Sequence, residues 1–91
     1  MPRYMVERNL PEFDASQLPG AAASAKAATA QMSSEGTPIR YLRSTFVPAE
    51  QKCYCLFEGP SEDSIREAQT RAELPYERIH EAEFITSEEL A

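Results

Sequence analysis

Two segments rich in β-branched and aromatic residues, Ile39–Val47 and Lys52–Glu58, are separated by little more than Pro48-Ala49-Glu50. Parallel strands need a long crossover, so a connection this short makes the pair an antiparallel hairpin. On the N-terminal side of the hairpin, Arg3–Asn9 alternates as a strand. Tyr4, Val6 and Arg8 share one face, and Arg3, Met5 and Glu7 the other. The segment Ala15–Ser34 is helical in composition, and Leu18, Ala22, Ala25, Thr29 and Met32 recur at spacings of three and four along one face. Thr29 is the weak member of that stripe, because its hydroxyl needs a backbone partner. Pro19 either occupies the first helical turn or follows a short turn with a kink. Gly36 and Thr37-Pro38 stop the helix.

On the C-terminal side, Gly59-Pro60 ends the hairpin and Ser61 stands as an N-cap, with Glu62 and Asp63 in the first turn. Ile65, Ala68 and Ala72 stripe a second helix, which Leu74-Pro75 terminates. Arg78–Ile85 reads as the last strand. Residues 1–86 then form one domain and 87–91 an acidic C-terminal tail. The order βαββαβ is solved by the split βαβ arrangement: an α+β, ferredoxin-like sandwich with a four-stranded antiparallel sheet and both helices on one face.

Two helices leave the other face of that sheet bare, and a bare face should be mostly polar. Here Cys53, Cys55 and Phe57 take one side of the third strand, and Tyr54 and Leu56 the other. On the second strand Leu42 and Phe46 face one way, and Ile39, Tyr41 and Val47 the other. Large apolar groups on both faces imply a cover, and we expect a second copy of the chain: a homodimer pairing through the open sheet face, a dimeric α+β barrel. Arg43 would share that face with Tyr41, and Lys52 and Glu58 would flank Tyr54 there. Such charges either pair at a wet interface, or line a pocket in which Arg43 grips an acidic group and Tyr41 and Tyr54 give it shape.

The formal net charge of −6 argues against binding to nucleic-acid backbones or to an anionic membrane. Arg40, Arg43, Arg66, Arg71 and Arg78 form no stripe with interleaved aromatics. No apolar run approaches the ~18 residues of a membrane span, and no secretory leader pattern opens the chain, so we expect a cytoplasmic protein with free thiols.

The residues that could carry chemistry are few. Cys53 and Cys55 face the same way on their strand about 7 Å apart, too far for a relaxed disulfide. Two soft ligands fall short of a structural zinc site, so they read as small core residues beside Phe57. His80, the one histidine, could be a general base, but it has no nucleophile at motif spacing; a structural hydrogen bond is the plainer reading. Three glycines supply no phosphate loop. We assign no metal ligand and no cofactor from the residues alone.

The segments Met1-Pro2-Arg3-Tyr4-Met5-Val6-Glu7-Arg8, Gly36–Arg43 (GTPIRYLR), Cys55-Leu56-Phe57-Glu58-Gly59-Pro60-Ser61, and Leu74-Pro75 with Arg78-Ile79 resemble a family of small bacterial domains of unknown function that includes proteins called nickel-binding proteins. The resemblance spans nearly the whole chain. It implies the ferredoxin-like fold, a homodimer, and nickel in members that carry a histidine near the end of the first strand and histidines along the second helix. Here the first place falls near Arg8, and Ile65–Ala72 has no histidine. Two functions remain open. One is a homodimer that binds a small molecule or ion at the cleft or dimer interface. The other is a small cofactor-free enzyme of the cyclase, isomerase or monooxygenase type, with His80, Glu7 and Arg43 as catalytic candidates and Tyr41, Arg43 and Tyr54 against the ligand.

Overall fold

A computed structural model describes residues 1–90. Its element order is β1 (Arg3–Asn9), α1 (Leu18–Ser34), β2 (Arg40–Val47), β3 (Lys52–Glu58), α2 (Glu62–Ala72) and β4 (Arg78–Glu81), with short 3-10 turns at Ala15–Gln17, Pro48–Glu50 and Ser87–Glu89. The sheet is antiparallel throughout, in the order β2-β3-β1-β4. The hairpin thus lies beside β1, and β4 closes the far edge, as the split βαβ arrangement requires.

Local chemistry accounts for the helix boundaries. Pro19 sits in the first turn of α1, preceded by a 3-10 turn that Asp14 caps. Gly36 follows α1 at φ 105°, a left-handed angle that an L side chain resists. The Thr29 hydroxyl finds its partner in the Lys26 carbonyl at 2.9 Å. Ser61 caps α2, and its side chain and that of Ser64 satisfy each other's backbone N–H. The core lies between the helices and one sheet face. Val6, Phe57 and Ile65 are fully buried at its centre, with Met32, Ile39 and Ala68 around them.

Two elements depart from the expected pattern. β2 carries a bulge: Tyr41 pairs with Phe57 but Arg43 pairs with Leu56, so Leu42 is an extra residue. One inserted residue reverses the phase of alternation. Tyr41 therefore turns to the helix side, edge-on to Phe57 at 5.6 Å, where it joins Ser44 and Phe46 opposite Cys55 and Cys53. Our placement of Tyr41 on the same face as Arg43 is corrected by this bulge, as are the grouping of Phe46 with Leu42 and that of Val47 with Ile39 and Tyr41, since Ile39 and Tyr41 lie on the core side and Val47 stands opposite Lys52 on the open side. The last strand ends at Glu81 rather than Ile85, because Tyr4 is the final residue of β1 to pair with it. Beyond it the chain is held by Arg3, whose guanidinium donates to the Phe84 carbonyl at 2.8 Å and lies 4.7 Å from the Phe84 ring centre. The acidic end turns back, and Glu89 meets Arg3 at 2.7 Å; residue 91 of the expected tail lies outside the described residues. Among the described residues, no helix is long and apolar enough to cross a membrane.

Gly59 marks the tightest joint between sheet and helix. A Cβ there would lie 3.0 Å from Ile65 Cδ1, 3.1 Å from Ser64 Oγ and 3.3 Å from Ile39 Cγ1. Gly59→Ala is expected to destabilise the domain by about 1–3 kcal/mol, the range for an overfilled core. Urea unfolding checks this, and an unchanged midpoint would contradict the packing described.

Candidate functional site

The cross-strand register sets out the open face as rows. Arg40, Glu58 and Arg3 form one; Arg43, Leu56, Met5 and His80 the next; Thr45, Tyr54, Glu7 and Arg78 the third. Arg43 and His80 thus stand at opposite edges of the sheet, three strand spacings or about 14 Å apart, with Leu56 and Met5 between them. Glu7 belongs with His80, whose Nε2 is 3.2 Å from Glu7 Oε1. Lys52 Nζ donates to the other oxygen of Glu7 at 2.8 Å, and Arg78 lies 3.8 Å away. His80, Glu7 and Arg43 therefore do not meet in one cleft.

The proposed ligand contacts also separate. Tyr41 is on the helix side. Tyr54 is a diagonal neighbour of Arg43 on the open face. Arg43 itself lies in a groove of about 260 Å³ with Arg3, Arg40, Glu58 and Phe84. Arg3 and Arg40 both pair with Glu58 there, whereas Arg43 has no ion-pair partner among the described residues.

A second site lies on the helix side, and our sequence reading assigned it no role. Arg8 is only 2 % exposed. One guanidinium nitrogen donates to Gln69 Oε1 at 2.5 Å, and the other to the carbonyls of Pro75 at 3.2 Å and Leu74 at 3.5 Å. These carbonyls follow the C-terminus of α2, the negative end of its dipole. Gln69, itself 1 % exposed, is held by donating to the Ile65 carbonyl at 2.9 Å. Among the described residues no carboxylate pairs with Arg8.

Beside this cation stand the two thiols. Arg8, Ser44, Cys53 and Cys55 floor a cavity of about 30 Å³, roofed by Leu10, Phe13, Leu18 and Leu74. The sulfurs are 3.9 Å apart, which corrects the separation of about 7 Å expected from strand rise alone, and Cys55 Sγ is 3.0 Å from Ser44 Oγ, which in turn is 2.8 Å from the Tyr41 hydroxyl. Hydrogen bonding from Cys53 lowers the Cys55 thiol to about 5; the Arg8 charge and the Ser44 hydroxyl add to this, and burial opposes it. The same contact, together with burial, pushes the Cys53 thiol up. The Ser44 hydroxyl reaches the Cys55 sulfur as well, so of the two thiols Cys55 has the more donors placed to hold a negative charge. A signal was present in the sequence: Arg8 alternates in phase with Tyr4 and Val6, which places a cation in the core beside a Cys-x-Cys strand. Ser44 was hidden by the bulge.

Fold and site together define a small ferredoxin-like α+β protein with a cation buried beneath its helices. Residues 4–82 match the model of a family described as nickel responsive protein SCO4226-like. The chain belongs to that family. Its fold is similar to that in the crystal structure of SCO4226 from Streptomyces coelicolor A3(2), with a TM-score of 0.77 over 92 % of this chain and 99 % of that one at 22 % identity. No curated protein matches the sequence.

The donors of this chain do not fit nickel. Among the described residues no three of His, Cys, Asp and Glu come together. Imidazole is the natural nitrogen donor for nickel, but His80 shares Glu7 with Lys52 and Arg78, and those two cations repel a dication. Arg8 and the histidine-free α2 occupy the places where the resemblance would put ligands.

The Glu7 carboxyl is held below its ordinary value of 4.5 by the hydrogen bond from Lys52, then by that from His80. A depressed folded value means that Glu7 adds stability above the unfolded value, and that this is lost as pH falls through the folded one. Lys52→Met is expected to flatten the loss of stability below pH 4.5, read as urea midpoints against pH. An unchanged acid limb would show that Lys52 does not hold Glu7.

Proposed function

We propose that this chain is a homodimeric binding module, paired through its open sheet face and taking a small acidic ligand at Arg43. The central row of that face carries the support. Leu56 and Met5 stand half-buried side by side at its centre. Cations and anions of both signs flank them, with Arg40, Glu58 and Arg3 on one side and Glu7, Lys52 and Arg78 on the other. A surface with an apolar centre and both signs of charge around it is self-complementary under a two-fold axis. Arg43 is the cation of this face left without a partner among the described residues. Its guanidinium fork suits a carboxylate, and Tyr54 is near enough to give the site shape.

Membership of a nickel-responsive family fits a binding role, although the ligand here is not nickel on the donor chemistry above. An enzymatic centre on this face would need Glu7, His80 and Arg43 in one cleft, and the register sets Arg43 apart from the other two. The expected location is the cytoplasm, where both thiols stay reduced.

Light scattering after size exclusion is expected to give twice the chain mass at tens of micromolar. Leu56→Glu is expected to give one chain mass with an unchanged circular dichroism spectrum, since like charges would meet across the axis. A wild-type monomer would overturn the proposal. Small di- and tricarboxylates are expected to shift the amide resonance of Arg43 in the wild type, with no binding to Arg43→Ala.

A further inference from the structure

We propose that Cys55 is a peroxide-reactive thiolate, with Arg8 as its counter-ion and the cavity between them as the place where hydrogen peroxide binds. This site lies on the helix side of the sheet and stands whether or not the open face dimerises.

A buried guanidinium stays protonated and has to be balanced. Gln69 and the carbonyls of Leu74 and Pro75 satisfy its donors but carry no formal charge. The groups that can supply one are the thiols sharing its cavity. The ionisable groups facing Cys55 are Arg8 from β1, Tyr41 from β2 and Cys53 from β3; α1 presents Leu18, Ala21 and Ala22, and α2 presents Gln69. Among these Arg8 is the sole fixed charge, and it favours the anion. Cys53 Sγ at 3.9 Å and Ser44 Oγ at 3.0 Å can each donate to the Cys55 sulfur.

The occupant follows from size and polarity. A cavity of about 30 Å³ holds one or two molecules about the size of water. Its roof of Leu10, Phe13 and Leu18 disfavours a charged visitor. Two sulfurs are too few for a tetrahedral metal, and no pair of N–H groups waits for an acyl oxyanion. Hydrogen peroxide is small and uncharged, and its reaction with a thiolate releases an oxygen anion that a guanidinium can stabilise.

In the step, the Cys55 thiolate attacks one peroxide oxygen. The S–O bond forms as the O–O bond breaks, and two electrons pass from sulfur to the departing oxygen. That oxygen leaves as hydroxide beside Arg8 and takes a proton from solvent to become water. The sulfur, oxidised by two electrons, becomes the sulfenic acid. The Cys53 thiol, 3.9 Å away, can condense with it, the sulfenic oxygen leaving as water as the S–S bond forms, although neighbours two apart on a strand give a strained bridge. The product is therefore one added oxygen on Cys55, or the Cys53–Cys55 disulfide that follows from it.

The test is oxidation of the full chain by hydrogen peroxide, followed by intact mass and by digestion to locate the oxygen. The expected result is one oxygen on Cys55 or the Cys53–Cys55 disulfide in the wild type, and one oxygen on Cys55 in Cys53→Ala, at a rate that changes little between pH 6 and pH 8 in the folded protein. In urea the rate should climb steeply toward the ordinary thiol value near ~8.5. Arg8→Met is expected to slow the folded reaction at pH 7 about tenfold, and Cys55→Ser to abolish it. If Arg8→Met does not fold, the wild-type pH profile decides alone. A folded rate rising about tenfold per pH unit across that range, as for an ordinary thiol, oxygen on Cys53 first, or no oxidation until the chain unfolds would each overturn the proposal.

Discussion

A guanidinium in a closed core has to be solvated by the protein around it, and in this chain that burden falls on Arg8. Its partners come from three places: the side chain of Gln69 on α2, the carbonyls that follow that helix, and the thiol pair on β3. Each of these depends on a separate feature of the fold. Ser61 starts α2 and Glu73, at φ 57°, ends it, which brings the Leu74 and Pro75 carbonyls to the end of β1. The pairing of Arg8 with Cys53 across the ladder places both sulfurs beside the cation. An uncompensated core charge costs several kcal/mol, so the arrangement of α2 against β1 and β3 is tied to keeping Arg8 satisfied.

The two faces of the sheet then have different characters. On the helix side, one cation and two thiols are buried beneath apolar residues, with the Ser44 and Tyr41 hydroxyls half-buried beside them. On the open side, charges are half-exposed and gathered on two carboxylates, Glu7 and Glu58, with Leu56 and Met5 between them. Pairs of the second kind contribute little individually and weaken with salt; their use lies in fixing the register of a partner surface. The family's association with nickel does not pass to either face through the donors present, since the open face spends its histidine on Glu7 and the helix side puts a cation where a metal would need ligands.

Much of the fold was legible because the connections are short and the punctuation strong. Pro48 bounds the hairpin, Ser61 and Gly36 bound the helices, and the alternation of Lys52–Glu58 told its two faces apart correctly. The faces of β2 were not legible, since a bulge at Leu42 leaves no compositional mark and one extra residue inverts everything on one side of it. That inversion moved Tyr41 from the expected ligand site to the edge of the thiol site. β4 read too long because alternation continues through Phe84, whereas strand length is set by the residues opposite. The Arg8 site was legible in part: the alternation of β1 put Arg8 on the core face, but its partners Gln69 and Leu74 lie more than sixty residues away, and only tertiary structure brings them together.

The central claim is that the buried charge of Arg8 is balanced by an ionised Cys55. Thiolate absorbance near 240 nm reads this directly. At pH 7 the folded chain should show the absorbance of one thiolate, which should largely disappear on unfolding in urea at the same pH, as both thiols return to ordinary values near ~8.5. Equal absorbance in the folded and unfolded chain would contradict the account.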